Sequence, residues 1–117
     1  MDFAYNDEQK EIIKVVRDLV EKEIVPYASE MDETGKLHEG LLDKLAAQGL
    51  LGVAIPEEFG GAGLDAITIA AIYEELGKGC AGVATTVAAN ALASYPVIIA
   101  GNDDQKKRYF DIINEDN

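Results

Sequence analysis

With Cys80 as its lone cysteine, the chain cannot close an internal disulfide, so its fold must rest on packing. Tryptophan is absent, and the one histidine, His38, has no cysteine or second histidine at ligand spacing. No metal site is expected, and His38 reads as a surface residue at a helix start. Basic residues are scarce too. Ten Lys and Arg stand against 22 Asp and Glu, a net charge of −12, and the resulting field repels phosphate backbones and anionic lipid headgroups. Neither nucleic acid nor a membrane is therefore an expected partner. No charged-then-apolar leader opens the chain at Met1-Asp2-Phe3, and a reducing cytoplasmic location is the expectation. A length of 117 residues suits one domain, 1–117.

What is present is helical periodicity punctuated by glycine. Ile12, Val16, Leu19, Val20 and Ile24 form a stripe, with Asn6 as N-cap and Pro26 placed to kink or end the helix. Leu41, Leu42, Leu45 and Ala46 form a shorter stripe that Gly49 closes in a left-handed conformation, folding Leu50 back. A third helix starts near Asp65, carries Ile69, Ile72, Tyr73 and Leu76, and is interrupted by Gly77 and Gly79. Asp103 caps a last helix with Tyr109, Phe110, Ile112 and Ile113. The fold class is an all-α helical bundle.

From Gly79 to Asn102 there is no charged residue and much alanine. That length would span a bilayer. Thr85, Thr86, Asn90, Ser94 and Pro96 dilute its apolarity and no basic flank anchors it, so it is expected as a central helix buried on every side. Thr85, Ala88, Ala89, Leu92 and Pro96 recur at three- and four-residue spacing, which places most of them on one face. Such a face lines an apolar pocket or lets two helices pack closely; spacing alone leaves both open.

Gly61, Gly63 and Ala66 match the G-x-G-x-x-A pattern of a dinucleotide-binding loop. The pattern needs a parallel sheet behind it and an acidic residue about twenty positions on, at a strand end. Both are missing here, and Glu74 and Glu75 fall inside a helix. The glycines are expected instead to take backbone angles closed to other residues, in a turn that crosses close to the bundle. The acidic pairs Glu57-Glu58 and Glu74-Glu75 read as solvated faces, and Cys80 as a packed small residue.

Four stretches, in order, carry a family resemblance. They are Glu21-Lys22-Glu23-Ile24-Val25-Pro26 with Met31-Asp32-Glu33-Thr34-Gly35, Gly49-Leu50-Leu51-Gly52 leading into Ile55-Pro56-Glu57-Glu58-Phe59-Gly60-Gly61-Ala62-Gly63-Leu64, Glu74-Glu75-Leu76-Gly77-Lys78-Gly79-Cys80-Ala81-Gly82-Val83, and Pro96 to Tyr109. Together they resemble the N-terminal helical domain of the flavin-dependent acyl-CoA dehydrogenases, the last stretch most nearly the medium-chain branch.

The resemblance implies that the helix matching Cys80 to Gly101 gives one wall of an acyl-chain pocket, with Thr85, Ala88, Ala89 and Leu92 along the acyl chain. In the medium-chain branch a carboxylate often stands where this chain has Ala88. The resemblance also implies acyl-CoA as substrate, FAD in the complete enzyme, electron-transfer flavoprotein as partner, and a homo-oligomer. The family's chemistry joins proton removal by a glutamate base to hydride loss from the neighbouring carbon to flavin. The flavin-holding middle β-domain and the base-bearing C-terminal helical domain are not expected within 1–117. No catalytic, cofactor-binding or metal-binding residue is therefore assigned, and the chain alone is expected to bind no FAD. The alternative is a free-standing helical interaction module that keeps the fold without the chemistry.

Overall fold

In the computed structural model, which describes residues 2–115, Asn6 starts the first helix, α1 (Asp7–Leu19). Its side chain accepts the Gln9 amide at 2.8 Å while Gln9 Oε1 accepts the Asn6 amide at 3.0 Å, a reciprocal cap. The stripe does not stop at Pro26. It loosens into a π-turn over Val20–Ile24, tightens into a 3-10 turn over Val25–Tyr27, and resumes as α2 (Ala28–Thr34). Pro26 sits at the start of the 3-10 turn, where a missing amide costs little, so it bends the rod without ending it.

The short helix α3 (Leu41–Ala47) ends at Gly49, which takes φ +72°, and Leu50 folds back into the core as expected. A loop of 3-10 turns leads to α4 (Ala66–Gly79), which runs unbroken through Gly77. The Asp65 carboxylate caps it, accepting the amides of Ile67 and Thr68 at 2.9 and 3.0 Å. One residue, Cys80, then separates α4 from α5 (Ala81–Ala100). The last helix is α6 (Asp103–Glu115). Its cap is Asn102 and not Asp103: Asn102 and Gln105 exchange side-chain and backbone hydrogen bonds of 3.0 and 2.9 Å.

Gln9 reaches Thr68 and Arg17 reaches Glu75, so α1 and α4 lie side by side and point the same way. Helix α5 returns antiparallel against α4. The core is built from Val16, Val20, Ile24, Leu45, Leu50, Ile72, Leu76, Val83 and Val87, drawn from α1, the π-turn, α3, the 3-10 turn at Leu50–Gly52, α4 and α5. Gly79 permits a close approach of α4 to the π-turn, because a methyl there would strike Val20 and Ile24. Among the described residues there is no strand.

The molecule measures 42 × 41 × 19 Å, a slab about two helices thick. A slab of that thickness has no interior position for a helix wrapped on all sides, which corrects the expectation for α5. Only Val83, Val87, Ala91 and Ser94 of that helix are fully buried.

Candidate functional site: the outer face of the longest helix

Successive residues of α5 are turned by about 100°, so Val83, Val87, Ala91 and Ser94 point into the slab and the opposite side faces outward. On that side stand Thr85, Ala89, Leu92, Ala93, Pro96 and Ile99, all exposed. Leu92 is 75% exposed and Ile99 79%. Of the four residues singled out from sequence, Thr85, Ala89 and Leu92 lie on this outer face and Ala88 is half-buried at its margin. Helix geometry thus puts them together, on an open wall with no cavity enclosed around them.

The wall is apolar in its chemistry as well as its composition. The Thr85 hydroxyl donates to the Ala81 carbonyl at 2.8 Å and the Thr86 hydroxyl to the Gly82 carbonyl at 2.8 Å, so both spend their protons on the helix. Pro96 contributes no amide. The side chains at Ala88, Ala89 and Ala93 end at a methyl, leaving room for a neighbour to approach the backbone. By length and hydropathy α5 could cross a membrane, but its inner face belongs to the same core as α4 and α1.

The glycine loop answers the dinucleotide question. The amides of Gly60, Gly61, Ala62, Gly63 and Leu64 bond the carbonyls of Glu57, Pro56, Gly52, Ile55 and Val53 at 2.9 to 3.2 Å. None is left to cradle a phosphate, and the N-terminus of α4 is already filled by Asp65. The Thr68 and Ile67 amides hold the Asp65 carboxyl below the usual carboxylate range. Gly60 and Gly63 take φ of +87° and +57°, as expected; Gly61 does not, and is needed because any Cβ would overlap the Ile55 carbonyl. The loop is pinned to α6 by Asn114, whose amide donates to the Phe59 carbonyl at 2.7 Å, and by Phe59 stacked on Phe110 at 4.7 Å. Nothing in this loop fits a flavin pyrophosphate.

Two acidic readings separate. Glu74 is exposed, as expected, and meets Lys78 at 3.3 Å. Glu75 is only 5% exposed, which corrects its reading as a solvated face. Arg17 grips it with two hydrogen bonds of 3.1 and 2.9 Å, and Lys78 adds a third at 2.7 Å. The Arg17 hydrogen bond, opposed by burial and aided by Lys78, lowers the Glu75 carboxyl to about 2. The sequence did carry a signal for this: Glu75 shares its helix face with Thr68, Ala71 and Ile72, all buried.

The remaining candidates are structural. His38 stacks on Tyr27 with ring centroids 3.5 Å apart, and Cys80 is half-buried at the start of α5. Among the described residues no three His, Cys, Asp or Glu converge on a metal position. The Tyr73 hydroxyl is buried without a partner, and burial pushes its pKa up.

These features define an all-helical domain with an uncovered, uncharged wall. Residues 6–114 match the family described as acyl-CoA dehydrogenase, N-terminal domain, and the chain belongs to that family. It is 36% identical over 110 residues to a probable acyl-CoA dehydrogenase, YngJ, of Bacillus subtilis, covering 93% of this chain and 29% of the relative. Its fold superposes on butyryl-CoA dehydrogenase from Megasphaera elsdenii with a TM-score of 0.81 and 33% identity, covering 94% of this chain and 30% of that one. The glutaryl-coenzyme A dehydrogenase complex with glutaryl-CoA gives a TM-score of 0.84 at 30% identity, with 94% and 29% coverage. The chain thus spans less than a third of the length of the relatives that it matches.

Proposed function

We propose that this chain serves as the N-terminal domain of a flavin-dependent acyl-CoA dehydrogenase, and that the outer face of α5 forms one wall of its acyl-chain pocket. The observation that carries the proposal is the face itself: about three turns of helix, from Thr85 to Pro96, with no charge, no free hydroxyl proton on the two threonines, and Leu92 75% in water. Covering such a surface is favourable by about 0.8 kcal/mol for each methylene removed from water, and an acyl chain is a row of methylenes. Ala88 and Ala89 set how near that row can come.

The reaction removes a proton beside the thioester carbonyl and a hydride from the next carbon. In this reading the base and the oxidant are supplied from outside residues 1–117, and the chain alone is expected to be inactive and to bind no FAD. FAD, the base and the rest of the pocket belong to the remaining domains of the enzyme, and electron-transfer flavoprotein and a homo-oligomeric assembly follow by family resemblance; the cytoplasmic location rests on the sequence reading alone. No observation favours the free-standing interaction module.

The test is Ala88→Phe in the complete enzyme, with kcat/KM measured over a series of acyl-CoA chain lengths. The ring displaces methylenes, so the loss should grow with chain length. Equal losses on short and long substrates would mean that Ala88 only packs against protein.

A further inference from the structure

The chain's few cations are not spread evenly. Lys10, Lys14 and Arg17 of α1 and Lys78 of α4, four of the ten, line one cleft of about 320 Å³ floored by Ile13 and Ala71. We propose that this cleft is a docking site for an acidic segment of a partner protein. Glu75 occupies the inner end, and the exposed Glu74 lines the cleft beside it, 3.3 Å from Lys78, so the four cations face two carboxylates there. Arg17 and Lys78 are held in place by gripping Glu75, which is no longer free to repel an incoming carboxylate. Toward the outer end the charge is unspent: among the described residues exposed Lys14 makes no ion pair, and Lys10 pairs with the fully exposed Asp7 alone, at 3.4 Å.

The spacing selects the partner. On a helix, Lys10, Lys14 and Arg17 lie on one face over about 10 Å of axis, since each residue rises about 1.5 Å. A single phosphate is too small to reach all three. Carboxylates on an acidic helix at four-residue spacing, or on alternate residues of an extended strand, recur every 6 to 7 Å and match the row. The rest of the surface supplies register, because a chain of net charge −12 repels acidic side chains that land elsewhere.

The experiment uses the 117-residue chain and a fluorescein-labelled hexaglutamate peptide, followed by anisotropy at 50 and 200 mM salt. Saturable binding is expected that weakens with salt. Lys14→Glu turns one attraction into a repulsion and should weaken it about tenfold. Lys107→Glu, on α6 and outside the cleft, should leave it unchanged. Lys14 is exposed and makes no ion pair among the described residues, so its variant keeps the fold, and far-UV circular dichroism checks that. Equal loss in the two variants, absence of saturable binding at 50 mM salt, or displacement of the peptide by equimolar inorganic phosphate would overturn the proposal.

Discussion

Acid should loosen the α1–α4 contact through one residue. Glu75 has a carboxyl lowered to about 2 from an ordinary 4.5, chiefly by the Arg17 hydrogen bond. A folded-state value below the unfolded one means that Glu75 contributes stability above about pH 4.5, and that this contribution disappears as pH falls toward 2. Taken at face value, that difference corresponds to about 3 kcal/mol. The side chains of both partners, Arg17 and Lys78, are 53% exposed, so water screens the interaction and about 1 to 2 kcal/mol is the expected contribution. Glu75→Gln keeps the shape and removes the charge. Urea denaturation of both proteins, followed by circular dichroism at pH 6, 4 and 2.5, should show a gap of that size at pH 6 which narrows steadily with acid. Subtracting the variant removes the titration of the other carboxylates. A gap that stays constant from pH 6 to 2.5, or is absent at pH 6, would refute the ion-pair account.

Three other outcomes follow from the packing. Gly61→Ala forces a methyl into the Ile55 carbonyl and should cost ~2–3 kcal/mol, whereas Gly49→Ala has open space, carries only the left-handed backbone penalty of ~1 kcal/mol, and should be the milder of the two in chemical denaturation. Leu45→Ala, at a fully buried position, should lower stability by about 2 to 5 kcal/mol in the isolated chain, while Leu92→Ala on the open wall should change it by less than about 0.5; similar losses at both would mean that α5 is covered. The 117-residue chain purified with added FAD and acyl-CoA thioesters should stay colourless and show no dye reduction; a yellow protein with stoichiometric flavin would contradict the absence of a flavin site.

Much of the helical framework was legible because the signals are local. Asn6 and Asp65 are caps that each act within one turn, and the Gly49 φ of +72° follows from a helix needing a residue without a Cβ to close it. The wall was legible as a face, since Thr85, Ala89 and Leu92 are fixed by the 3.6-residue period. What covers that face was not: an uncharged helix reads as buried, but whether this chain or another surface buries it depends on how many helices stack. The slab is too thin to cover α5. Glu75 was misread for a related reason. A carboxylate beside a second carboxylate looks solvated until α1 brings Arg17 across a separation of 58 residues. Pro26 was legible as a kink or an end, and it is a kink; the π-turn before it was not legible, because a π-turn carries no clear residue signature.

The central claim is that an acyl chain lies along α5, and the direct measurement is photolabelling. An acyl-CoA with a diazirine at the end of its chain, irradiated on the complete enzyme and mapped by mass spectrometry, should mark residues between Thr85 and Leu92, with labelling suppressed by excess unlabelled substrate. Labelling that substrate suppresses but that falls wholly outside α5 would contradict the account.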